Sequence, residues 1–312
     1  MKKEILYTMK SPYRDDFKIY GYRFGEGGKK SVAVVGAIRG DELQQQYTCA
    51  QLVKAFKELE EAGALTPEYE VLIIPSVNPY SMNIGKRFWS MDNTDINRMF
   101  PGYDKGETTQ RIAAALFESI KDFEFGIQLA SYYLPGEFIP HVRMLKTGYE
   151  PEHEAKHFGF PYVYVREVAP YDTAMLNYNW QIWETKAFSV YTGRTDKVNS
   201  ANVDEALEAL LRFMINIGVV NSSIRPGYRA QTITDANLVT IPSPKAGLIR
   251  RFKRAQESVR KGDLLAEIMD PYEATVLAEI TAPVSGVVFF NHAEPLILEG
   301  ARAFQIVEDL MV

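Results

Sequence analysis

The chain has 312 residues, of which 46% are apolar and 24% charged, with a formal net charge of −5. Its length exceeds that of an average domain, so one large domain with a smaller one is expected, and the apolar content is ample for a core. The acidic balance excludes a general nucleic-acid binder, which needs a basic surface against phosphates, while leaving single cationic pockets open.

From the N-terminus, residues 1–16 (MKKEILYTMKSPYRDD) lack the apolar run of a signal peptide. No stretch approaches the ~20 apolar residues of a membrane span. A cytoplasmic protein that contacts no membrane is therefore expected. Residues 31–36 (SVAVVG) read as a buried strand, and residues 47–61 as an amphipathic helix. Within it lies Cys49, the only cysteine, so no intramolecular disulfide forms and a reducing compartment is expected. In that apolar setting Cys49 reads as a packing residue rather than a nucleophile. Residues 71–77 (VLIIPSV) form a second apolar strand, closed by the turn signal Asn78-Pro79. Helices are expected over 108–122 and 202–217, and strands over 125–129, 162–166 and 188–191. Apolar strands alternating with helices imply an α/β domain with a mixed sheet covered on both faces.

After about residue 222 the texture changes to short β-rich runs punctuated by Pro and Gly, which implies a small all-β domain. The division is placed at 1–222 and 223–312. The phrases VRKGDLLAEI and ITAPVSGVV resemble the biotinyl/lipoyl barrel-sandwich fold. In that fold the carriers hold a lysine on the hairpin before the second phrase. Here the hairpin reads Glu273-Ala274-Thr275-Val276-Leu277, so a swinging-arm role is not expected, and a structural role or a homo-oligomeric contact is left open.

Four segments carry a resemblance that spans most of the first 220 residues. The first is GAIRGDE at 36–42, directly after a strand. The second runs from Asn78-Pro79 through Arg87 to Asp95-Ile96-Asn97-Arg98 and closes on Phe100-Pro101-Gly102. The third is Ile127-Gln128-Leu129-Ala130, with Pro140-His141-Val142-Arg143 after it. The fourth is Val190-Tyr191-Thr192-Gly193. In this order they resemble the succinylglutamate desuccinylase/aspartoacylase family, whose phrases are HGDE, NP…R…DLNR-FPG, a strand ending in Asp-Leu-His, and Glu-Leu-Gly. The resemblance implies a carboxypeptidase-like mixed sheet flanked by helices, with the barrel-sandwich-like domain appended.

The family's zinc chemistry requires about three imidazole or carboxylate ligands, an open position for water, and a carboxylate base. By the resemblance, Arg39 and Ala130 stand where the family has zinc-binding histidines, and Glu42 keeps the third ligand position. Tyr191 stands at the general-base position. A guanidinium neither coordinates nor deprotonates, and it repels a divalent cation. No metal is therefore expected at the ancestral site, and an Arg39–Glu42 ion pair is expected to fill it. The substrate-anchoring positions are kept. The resemblance gives Arg87 the role of polarising a carbonyl, and Asn97 and Arg98 that of holding a substrate carboxylate, for which an arginine fork is suited. The bland reading of Asn97 and Arg98 is loop-tying and internal ion pairing.

Residues 153–157 spell His-Glu-Ala-Lys-His, a literal HExxH with both imidazoles on one helical face. Its polar interior and the flanking Pro151 and Phe158-Gly159-Phe160-Pro161 read as a solvated helix face. Tyr132, Tyr133, Phe138, Trp180 and Trp183 either line a cleft or pack in the core, and spacing does not separate the two. The expectation is a degenerate, non-catalytic member that binds a small acidic or N-acyl amino-acid-like ligand. The alternatives are an active metal-dependent deacylase with an altered site, and a structural or regulatory partner of an active paralogue.

Overall fold

A computed structural model describes residues 1–25, 27–132 and 134–308. In chain order the first part of the sequence forms β1 (Lys2–Met9), β2 (Phe17–Phe24), β3 (Lys29–Ala37), α1 (Leu43–Glu61), β4 (Tyr69–Ser76), α2 (Pro79–Met82), α3 (Thr108–Ile120) and β5 (Phe125–Leu129). It continues with β6 (Gly136–Phe138), β7 (His141–Leu145), α4 (Glu152–Ala155), β8 (Tyr162–Arg166), α5 (Leu176–Ile182), β9 (Lys186–Tyr191), α6 (Ser200–Asn216) and β10 (Gln231–Thr234). Two compact units result. The first holds Met1–Ser131, His141–Tyr191 and Thr195–Thr232; the second holds Tyr132–Pro140, Thr192–Arg194 and the described residues from Ile233 on. Residues 223–232, assigned to the C-terminal domain from sequence, group with the first unit. Hydrogen bonds from Tyr228 N to Gly159 O and from Gln231 N to Pro161 O tie them there.

The first unit is built on a mixed nine-stranded sheet in the order β1-β2-β4-β3-β5-β9-β7-β8-β10. The central pairs β4/β3, β3/β5 and β5/β9 are parallel, whereas β9/β7 is antiparallel. Central strands lie between two layers, which is why they read as continuous apolar runs. In β3, Val32 and Val34 join one core with Leu52 and Phe56 of α1 and Phe213 of α6. Ala33 and Val35 join the other core with Ile112 and Leu116 of α3 and Trp180 of α5. Trp180 is thus a core residue, not a cleft-lining one. Cys49 is buried in the first core, where burial pushes its thiol pKa up, as a packing role requires.

The second unit contains β6 with β11 (Leu238–Pro242), β12 (Gly247–Arg251), β13 (Ser258–Val259), β14 (Leu264–Met269), β15 (Val276–Thr281), β16 (Gly286–His292), β17 (Leu296–Ile297) and β18 (Arg302–Glu308). They make two sheets: β11-β18-β16-β13, with β6 added on β16, and β15-β14-β12-β17. Leu265, Ile268, Val288, Phe304 and Ile306 form its core. Its β14–β15 hairpin is tightly turned. Asp270 Oδ1 accepts from the backbone N–H groups of Tyr272 and Glu273, and Ala274 sits at φ 56°. Among the described residues, no helix is long and apolar enough to cross a membrane.

Candidate functional site

The loop between β3 and α1 carries Arg39 and Glu42 at the C-terminal end of the sheet. It runs close under residues 81–87, with Gly40 N donating to Arg87 O at 2.9 Å. A Cβ at Gly40 would lie 2.2 Å from Lys86 O, so only glycine fits. Glu42, fully buried, turns its carboxylate back onto this loop. Its Oε2 accepts from Ile38 N (2.9 Å) and Arg39 N (3.0 Å), and its Oε1 accepts from Arg39 Nη1 (3.1 Å) and Ser131 Oγ (2.5 Å).

Arg39 is buried too, its side chain 7% exposed, and it bridges two carboxylates. Besides Glu42, it holds Asp95 in a fork, from Nε at 3.1 Å to both oxygens and from Nη2 at 2.9 Å. Burial alone pulls the guanidinium pKa down. The charges of Glu42 and Asp95 more than reverse this and hold it above the ordinary arginine value. Asp95 also accepts from Asn97 N, so the same carboxylate caps the short turn at Ile96–Arg98. The expected Arg39–Glu42 pair is therefore one half of a triad. Sequence reasoning missed Asp95 as its third member and Ser131 as a further donor to Glu42, because they lie 56 and 89 residues from their partners.

These residues do not fit the zinc ion that the family's fold implies. Glu42 is saturated by four donors, and Arg39 places a cation within hydrogen-bond distance of it. Ala130, at the end of β5, offers only its carbonyl, which Gln45 Nε2 already occupies at 3.1 Å. Among the described residues, no group of three or more His, Cys, Asp or Glu side chains is placed to hold a metal. The HExxH sequence is split between α4 and a 3-10 turn at Lys156–Phe158. Its glutamate, Glu154, pairs with Lys186 at 2.7 Å, and its imidazoles meet edge to face.

The positions expected to anchor substrate lie around the triad. Arg87 donates to Asp41 (2.8 Å) and to Ser131 Oγ (3.2 Å). Asn97 is buried, and its Oδ1 accepts from Leu176 N at 3.4 Å, which joins the signature loop to α5. Arg98 is partly exposed, donates to Tyr171 O at 2.5 Å, and lies over the Tyr171 ring. Tyr191, at the end of β9, stacks on the buried His141 with centroids 4.9 Å apart and planes 3° from parallel. Arg143 lies over the rings of Tyr191 (4.3 Å) and Tyr164 (5.1 Å) and donates to Tyr191 Oη at 3.3 Å. Trp183 is half-exposed, Tyr132 and Phe138 stack on each other in the second unit, and Tyr133 lies outside the described residues.

Comparison with known proteins places this geometry. Residues 28–129 match the family described as the succinylglutamate desuccinylase/aspartoacylase catalytic domain. No curated protein matches the sequence. A succinylglutamate desuccinylase from Silicibacter sp. TM1040 superposes with a TM-score of 0.80 at 20% identity, covering 97% of this chain and 92% of that one. The product-bound ectoine utilization protein EutE (DoeB) from Ruegeria pomeroyi gives 0.77 at 20% identity, covering 93% and 89%. An aspartoacylase family protein from Mesorhizobium loti MAFF303099 gives 0.79 at 18%, covering 100% and 95%. At these identities the likeness is one of fold. The matched segment 28–129 is thus similar to the catalytic domain of the succinylglutamate desuccinylase/aspartoacylase family, and the chain shares the fold of the solved structures that carry that family's name.

Proposed function

We propose that this chain is a non-catalytic member of its family that binds a small acidic or N-acyl amino-acid-like ligand in the cytoplasm. The observation that carries the reading is the Glu42–Arg39–Asp95 triad, a permanent organic cation seated between two carboxylates. Hydrolysis in this family needs an activated water and a base to take its proton. A guanidinium activates no water, and the position that the resemblance gives to the base carries a phenol and no carboxylate. The anchoring side is better preserved. Arg98 donates through Nη1 to Tyr171 O, and its side chain is 31% exposed, so the guanidinium is within reach of solvent. An arginine presented in this way suits a carboxylate.

Titration calorimetry with a panel of N-acyl amino acids, on wild type and Arg98→Ala, tests the reading. Binding without turnover is expected, weakened about tenfold or more in the variant, since a hydrogen bond to a charged group contributes roughly 1.5–3 kcal/mol. Zinc-dependent hydrolysis by the unmodified protein would overturn the proposal.

A further inference from the structure

The first unit contains a concavity that shares no residue with the triad or the positions around it. It has a volume of about 350 Å³ and lies where residues 225–228 cross residues 159–160 beside α6. The crossing is tight because glycine meets glycine. Gly159 has φ 72°, and a Cβ on it would lie 2.8 Å from Gly227 Cα, whereas one on Gly227 would lie 2.5 Å from Gly159 Cα. Tyr228 N donates to Gly159 O at 2.8 Å. Arg212 of α6 pins both segments, donating from Nε to Arg225 O at 3.0 Å and from Nη1 to Phe158 O at 2.8 Å. The walls are therefore fixed by the fold and need no ligand to assemble them.

Charge on these walls is only partly paired. Glu205, Glu208 and Arg212 follow an i, i+3, i+7 spacing on α6, and all three line the concavity. Arg212 has Glu208 as its ion-pair partner, with Nη2 3.6 Å from Oε2. Glu205 and Arg225 are left over, and neither takes part in an ion pair among the described residues. Glu205 is half-buried. Burial raises its carboxyl pKa, the Glu208 charge adds to the rise, and Arg212 offsets it in part. Arg225 is exposed, at the crossing segment. Phe160, 3% exposed, and the Tyr228 ring add apolar surface.

We propose that this concavity binds a small zwitterion, its ammonium at Glu205, its carboxylate at Arg225, and its stem against Phe160 and Tyr228. The lining has two carboxylates and two guanidiniums, so it favours neither sign of net charge. A singly charged ligand satisfies one of the two unpaired groups and leaves the other as it was, whereas a zwitterion satisfies both. An ammonium brings three donors to a carboxylate and is attracted to aromatic faces, and an arginine fork accepts a carboxylate bidentately. The volume is at the lower end for small-molecule sites, which suits a ligand of few heavy atoms rather than a peptide. This site does not depend on the anion-binding reading above.

Calorimetry on the intact chain tests it with three zwitterions of increasing span, β-alanine, 4-aminobutanoate and 5-aminopentanoate. Butylamine and butanoate carry one charge each and serve as the comparison. At least one zwitterion is expected to bind about tenfold more tightly than either singly charged probe, because it gains a second charge-assisted contact. Glu205→Gln and Arg225→Gln are each expected to lower that affinity about tenfold while leaving the melting temperature unchanged, since neither residue is in an ion pair. Arg98→Ala is expected to leave it unaltered. No preference of wild type for any zwitterion would overturn the proposal. So would binding that both substitutions in the concavity leave intact, or that Arg98→Ala removes. Sensitivity to only one of Glu205→Gln and Arg225→Gln would overturn the zwitterion assignment.

Discussion

Arg39 shows what a buried, permanently charged side chain does between two carboxylates. By the resemblance it stands where the family has a histidine, and its guanidinium is the cation that Glu42 and Asp95 share. Removing one member of a buried ion pair typically costs about 3–5 kcal/mol, because the remaining charge is stranded. Arg39→Ala strands Glu42 and Asp95 together and is expected to destabilise the protein by about that amount in urea unfolding. Glu42→Gln should cost less, because the Asp95 fork continues to hold the guanidinium. Equal stability of Arg39→Ala and wild type would show that the triad contributes nothing to the fold. The Arg39–Glu42 half was legible in the sequence because the two are three residues apart on one loop. Asp95 was legible only as part of a signature. Nothing in a linear reading marks a carboxylate that a long loop returns to the same point.

Elements set the limits on reversing this change. Arg39, Ala130 and Tyr191 lie at or just beyond the C-terminal ends of β3, β5 and β9, neighbouring parallel strands of the same sheet. Arg39→His with Ala130→His is expected to recover zinc by elemental analysis, and adding Tyr191→Glu to yield only weak turnover. The reason is Arg143, which already lies against Tyr191 and would pair with a glutamate at that position, competing with its use as a base. A folded triple revertant that holds no metal would mean that the surrounding shell has diverged as well. The same level of organisation was partly hidden from the sequence. α5 is seven residues long and rich in Asn, Tyr and Trp, too short for a helical period to register, yet its Leu176 and Trp180 enter the second core of the sheet. The β1–β2 hairpin went unread because β1 alternates exposed and half-buried residues and β2 alternates buried with more exposed ones, neither with a sustained apolar run. α1 and α3, with clear amphipathic faces over several turns, were plain.

For the molecule as a whole, the second unit is built of antiparallel sheets whose sequence resembles the carriers without their lysine. Its β14–β15 turn holds Tyr272 out in solvent, and residues 270–277 include no lysine. Intact-mass measurement after co-expression with biotin- and lipoyl-attaching enzymes is expected to return the unmodified mass, and an added prosthetic group on this hairpin would contradict that. The linear pattern of 312 residues was sufficient to specify two kinds of packing. Continuous apolar strands with intervening helices demand a sheet buried on both faces, and short strands with frequent turns demand a β unit, since burial period and turn chemistry are local properties. The resemblance of positions 39, 42, 130 and 191 to the family's ligand and base positions was likewise local, because each could be read against a short phrase. The partners of those residues were not. The partnership of Arg39 with Asp95, the grouping of residues 223–232 with the first unit, and the stacking of Tyr191 on His141 all depend on which distant segments the sheet order brings together. Tertiary structure decided these, because hydrogen bonds and ion pairs act over a few ångströms of space whatever the separation along the chain.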